Sequence, residues 1–207
     1  MDYRRPVEAV IGGARGRLLA ALVETTAPLT LRRLARLAEV SPAQASRVMP
    51  ALVELGIVER YEVPPASQFV LIRENAASQA IIGLAGSRRT ALRQIGDAAI
   101  DLQPAPMSMI VFGSFARNEA DADSDIDIVV VRPNDLDEDD ERWSDSIEGW
   151  RRQVASITGN DVEVVEASAS EASRKLRGRS ELWRDIRRDG VVVHGAKLVE
   201  LMEPVEA

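Results

Sequence analysis

The sequence has no cysteine, which excludes disulfides, thiolate metal sites and a cysteine nucleophile. Its single histidine, His194, excludes a histidine-built zinc centre as well. Any metal must therefore be held by oxygen ligands, which suits Mg²⁺, Mn²⁺ or Ca²⁺. Aromatic residues are also scarce, and the three tryptophans, Trp143, Trp150 and Trp183, are read as core rather than as base-stacking groups. No apolar run approaches the roughly 20 residues that span a bilayer. The apolar stretch Val7 to Val10 is too short for a secretory signal, so no membrane partner and a cytoplasmic location are expected. What remains is an ordinary globular composition, 45% hydrophobic and 29% charged, long enough at 207 residues for one or two packed domains.

Charge is distributed unevenly. Residues 1–75 hold 10 arginines against 8 acidic residues, whereas residues 76–207 hold 16 basic against 25 acidic. The split points to two modules with different partners, and the net charge of −7 excludes a strongly basic nucleic-acid binder. Three segments are expected: residues 1–75, a helical connector over 76–104, and residues 105–207.

In the front module, Leu18, Leu19, Leu22 and Val23 form one apolar helical face over residues 14–25. Thr30 can cap a second helix carrying Leu31, Leu34, Ala35 and Ala38. Ser41-Pro42 opens a third, with a capping hydroxyl and a proline at the first helical position, and Gly56 ends it. Two β-rich runs around Pro64-Pro65 then read as a hairpin. Three helices and a hairpin make a winged helix-turn-helix, and the stretch from Leu31 to Arg60 resembles regulators of the MarR and ArsR type. That resemblance implies binding of double-stranded DNA. Gln44, Ser46 and Arg47 would face base edges and Arg32, Arg33 and Arg36 would meet phosphates. The bland alternative is a winged helix used for dimerisation or protein contacts. Pro50, inside the third helix, is expected to kink it or end it early.

Residues 76–102 read as one long helical run capped by Asn75, or as two shorter helices, since Gly83 and Gly86 weaken it. Either way the connector is a packed element or the face of a homodimer.

The back module carries the chemistry. An apolar β run, Met107 to Phe112, leads into Gly113-Ser114-Phe115-Ala116-Arg117-Asn118-Glu119-Ala120. Ten residues after Ser114 comes Asp125-Ile126-Asp127-Ile128-Val129-Val130-Val131, read as a strand from Asp125 with both aspartates on one face. Two adjacent carboxylates call for a cation between them. A later strand, Asp161-Val162-Glu163-Val164-Val165, supplies a third carboxylate, Glu163, with Asp161 as the competing candidate. Between these strands, Trp143, Ile147, Trp150, Val154 and Ile157 mark a crossover helix. The acidic residues from Asp135 to Glu141 read as its solvated start, and His194 as part of a surface turn.

This pattern resembles the minimal nucleotidyltransferases of the DNA polymerase beta superfamily, over residues 105–195. The fold implied is α+β: an N-terminal winged helix of three helices and a hairpin, then a nucleotidyltransferase α/β domain with a small mixed sheet. The resemblance implies that Asp125, Asp127 and Glu163 bind Mg²⁺ or Mn²⁺ and catalyse, while Gly113, Ser114 and Arg117 bind the nucleotide, with ATP the expected substrate. Arg117 would reach the triphosphate, or pair with Glu119 or Asp123. Asn118 stands where the family usually has glycine, and asparagine tolerates the left-handed backbone conformation.

Three functions compete. In the first, an NMP moves from an NTP to a hydroxyl of a protein or RNA acceptor, such as a cognate toxin, with the winged helix repressing its own operon. In the second, a transcriptional regulator uses the back module only to sense nucleotide. The third, modification of a small molecule or an RNA end, leaves too little chain for a substrate domain.

Overall fold

A computed structural model of the chain describes residues 1–203. It divides into two compact units, one formed by residues 5–87 and the other by residues 1–4 together with residues 88 onward.

The first unit runs α1 (Pro6–Val10), α2 (Gly13–Glu24), β1 (Leu29–Thr30), α3 (Leu31–Leu37), α4 (Pro42–Glu54), β2 (Val58–Val63), β3 (Ala66–Leu71) and α5 (Ala76–Ala85). Its starts follow the capping logic of the sequence. Thr30 accepts a hydrogen bond from the Arg33 amide, and Ser41 and Gln44 form a reciprocal capping box at the head of α4. Leu18, Leu22, Leu34, Met49, Leu52 and Phe69 pack into one core. The sheet has the order β1-β3-β2, all antiparallel, and β2 and β3 form the wing. Pro50 does not end α4, which continues to Glu54. The proline is exposed, so the carbonyl of Ser46 that it leaves unpaired is on the solvent side.

The helical run after Asn75 is two helices. α5 ends at Gly86 and belongs to the first unit; α6 (Ser87–Asp97) belongs, from Arg88 onward, to the second. The second unit continues with β4 (Ser108–Val111), α7 (Gly113–Ala116), β5 (Ile126–Arg132), α8 (Glu141–Thr158), β6 (Val162–Ser168), α9 (Ala169–Arg177), α10 (Glu181–Asp189), β7 (Val191–Gly195) and α11 (Leu198–Leu201). Its sheet has the order β6-β5-β4-β7, with β5 and β6 parallel and the other pairs antiparallel. α8 provides the crossover between the parallel strands, burying Trp143, Ile147, Trp150 and Val154 against one face. α9 and α10 cover the other, where Leu176, Trp183 and Ile186 are buried with Val129 and Val131. All three tryptophans are core residues.

Two expectations need correction. The strand of the aspartates begins at Ile126, so Asp125 lies just before it. His194 is not in a turn: it pairs with Met109 inside β7, and the left-handed Gly195 marks the strand's end. The sequence reading also missed α9, although Ser168 and Glu171 form its capping box. Among the described residues, no helix is long and apolar enough to cross a membrane.

Candidate active site

The second unit brings the end of β4 beside the start of β5. Val111 lies opposite Ile128, and the Phe112 amide donates to the Asp127 carbonyl at 2.9 Å. The chain then turns sharply through Gly113, whose φ is +68°. A Cβ on Gly113 would stand 2.1 Å from Asp127 Oδ2. Only glycine therefore fits, both for its backbone angle and for its approach to that carboxylate. Ser114, next in line, is half-buried, and its hydroxyl has no hydrogen-bond partner among the described residues. Asn118 adopts the left-handed conformation, φ 63°, that its place in the motif requires.

On the other side of β5, the parallel register sets Asp127 opposite Glu163. Neighbouring strands lie only about 4.8 Å apart, so like charges there are felt strongly. Burial, followed by the charges of Glu163 and then Asp125, raises the Asp127 pKa above the usual carboxylate value, while Arg117 pulls it down. Asp161 is a poorer third carboxylate. It precedes β6, its carbonyl accepts the Ile126 amide at 2.8 Å, and its charge acts on the Arg151 guanidinium. Arg117 is exposed, and its Nε donates to Glu119 at 2.8 Å.

Asp125 and Glu163 are exposed and Asp127 half-buried. Among the described residues, no three acidic or histidine side chains are drawn close enough to enclose a metal ion. The oxygen-only donor set fits a divalent ion, and Gly113 brings the backbone of α7's start against the Asp127 carboxylate.

Two groups that support these residues carried no sequence signal. Arg88 donates from Nε to the Phe115 carbonyl at 2.6 Å, and from Nη2 to the Ala116 carbonyl, holding the end of α7. Asn160 is buried and bonds to the chain just before Asp125. Both act on backbone carbonyls, which every residue type offers.

Residues 92–187 match the family described as nucleotidyltransferase domain, and residues 16–62 match the IclR helix-turn-helix domain. A segment matching a nucleotidyltransferase domain thus follows a segment matching a helix-turn-helix domain. The front match is of the IclR type, where the sequence resembled the MarR and ArsR type. Among curated proteins, none matches. Solved structures that are similar include two that are each 18% identical. A mutant of the toxin-antitoxin MntA-HpeT has a TM-score of 0.37, covering 54% of this chain and 78% of that one. A toxin-antitoxin with AMP-PNP has a TM-score of 0.35, covering 55% and 77%.

In the helix-turn-helix domain, Arg32, Arg33, Arg36, Ser46 and Arg47 are all exposed. Gln44 is exposed too, but its side-chain oxygen accepts the Ser41 amide at 3.0 Å, so it already serves the helix cap. Arg32, Ser46 and Pro50 line a groove of about 890 Å³ between α4 and the wing, together with Arg60. Arg60 is held by Glu62 and Ser67.

Proposed function

We propose that the chain is a divalent-metal-dependent enzyme moving an NMP, from ATP by preference, onto a hydroxyl of a protein or RNA acceptor. The observation that carries this reading is the pairing of Asp127 with Glu163 across parallel strands, with Gly113 closing over Asp127. Asp125, Asp127 and Glu163 would hold Mg²⁺ or Mn²⁺. Bound there, the ion supplies charge neutralisation for the phosphates and acidifies the attacking hydroxyl. Gly113 lets the phosphates approach, and the free Ser114 hydroxyl donates to them. Arg117, released from Glu119, reaches the same oxygens. The acceptor oxygen attacks the α-phosphorus as the bond to the β-phosphate bridge breaks. Pyrophosphate leaves, and Glu163 takes the hydroxyl proton.

The helix-turn-helix domain binds double-stranded DNA in this reading, through Ser46 and Arg47 at base edges and Arg32, Arg33 and Arg36 at phosphates. An enzyme of this kind can repress its own operon while modifying a cognate toxin. The carboxylates that stand apart favour one alternative, a regulator whose back domain binds nucleotide without transferring it. Incubation with α-labelled NTPs and Mg²⁺, with and without host lysate, separates the two. Label retained on a macromolecule by the wild type, and absent with Asp125→Ala/Asp127→Ala, supports transfer. Nucleotide binding that alters DNA affinity without any transfer supports the regulator.

A further inference from the structure

Of Asp125, Asp127 and Glu163, Asp125 alone lies outside a strand. It is exposed and lies at the end of the loop that runs from α7 to β5. Its position is nevertheless set from both sides. The carbonyl of Ser124, just before it, accepts a hydrogen bond from Asn160 Nδ2 at 2.8 Å. The amide of Ile126, just after it, donates to the Asp161 carbonyl at 2.8 Å. Asn160 Nδ2 also donates to the Asp121 carbonyl at 3.0 Å. The turn that opens the strand of Glu163 thereby brackets Asp125, and the same contacts fix the register that sets Asp127 opposite Glu163.

The loop has a second tether. The amides of Tyr3 and Arg4 both donate to the Ala120 carbonyl, and Arg4 Nη2 pairs with Asp121 Oδ2 at 2.9 Å. The Tyr3 hydroxyl donates to the Thr158 carbonyl at 2.8 Å, and its ring meets Phe115 edge-on at 4.7 Å. Inside the loop, Ser124 donates to Asp121 Oδ1 at 2.8 Å. Asn160 is only 6% exposed, so its amide has no water to compete for, and nothing else in the turn supplies two donors to these carbonyls.

We infer that Asn160 is a positioning residue for the metal-binding carboxylates, holding Asp125 to the strand of Glu163, with Tyr3 and Arg4 as the loop's outer tether. Asn160 touches neither metal nor nucleotide; it acts through the Asp121 and Ser124 carbonyls, on the N-terminal side of Asp125. The inference rests on the transferase reading and adds to it a group that decides where Asp125 stands.

The test counts Mn²⁺ bound to the full-length protein by the loss of the free-ion electron paramagnetic resonance signal, with α,β-methylene-ATP present. Asn160→Leu keeps the side-chain size and removes both donors. Its Mn²⁺ affinity should fall about 10-fold, the lower end of losses for groups that orient metal ligands. Leu176→Ala, in the core on the other face of the sheet, controls for stability: it should lower the melting temperature and leave Mn²⁺ affinity unchanged. Wild-type Mn²⁺ affinity in folded Asn160→Leu overturns the inference. Should that variant fail to fold, Arg4→Ala/Ser124→Ala decides instead, with a smaller loss expected and an unchanged affinity counting against it. Asp127→Asn marks the floor. A wild-type protein that binds no Mn²⁺ with the nucleotide defeats the transferase reading itself, and this inference with it.

Discussion

Asp127 bears an electrostatic cost, because burial and two neighbouring carboxylates oppose its charge. Its folded pKa is raised, so ionisation above that pKa costs stability, and the cost disappears as the pH falls through it. Asp127→Asn should therefore raise the melting temperature of metal-free protein at pH 7, by roughly 1–3 °C. The gain should shrink on acidification, as differential scanning calorimetry in EDTA can show. The same variant should lose transfer activity by more than about 100-fold, the upper end even for outer-shell partners of a metal. Gly113→Ala should destabilise by roughly 1–2 kcal/mol from its left-handed backbone alone. It should also abolish nucleotide binding by pushing a methyl into Asp127 Oδ2, which equilibrium binding and chemical denaturation measure together. The glycine, the serine and the aspartates were legible in the sequence because their spacing is local. Arg88 and Asn160 were not, since they bond to backbone carbonyls 27 to 39 residues away along the chain.

At the scale of elements, caps were the most readable feature. Thr30, Ser41 and Asn75 all cap the helices assigned to them. Pro50 does not end α4 early, because the cost of a helical proline depends on exposure, which no local pattern reveals. It costs α4 one backbone bond, but on the solvent side. Pro50→Ala should stabilise the protein by about 1–3 kcal/mol, within the proline penalty in a helix interior, as read by urea denaturation. The loop before β5 is a different case. The Ser124 hydroxyl and the Asp123 amide bond to Asp121 and hold its carboxyl below the usual range. A depressed folded pKa gives stability that is present above the unfolded value of about 3.9 and is lost as pH falls further. Ser124→Ala should move the Asp121 titration upward, measurable by NMR. The register of β5 and β6, which places Glu163 at Asp127, came from pairing across a crossover helix. Sequence alternation could show the face of each carboxylate but not which residue it would meet.

The whole molecule joins two units of unlike charge, and each can be tested in the intact chain. If Arg32, Arg33 and Arg36 meet phosphates, replacing any one with alanine should weaken DNA binding nearly equally across sequences. It should also reduce the slope of log affinity against log salt by about 1. Salt-dependent fluorescence anisotropy with a labelled duplex measures both. The central claim belongs to the other unit: that its carboxylates direct attack at the α-phosphorus. ATP labelled in parallel at the α- and γ-phosphorus, given to the protein with Mg²⁺ and host lysate, tests it most directly. The account predicts α-label on the acceptor, γ-label released as pyrophosphate, and neither with Asp125→Ala/Asp127→Ala. Transfer of the γ-label instead, or α-label that persists in that variant, would contradict it.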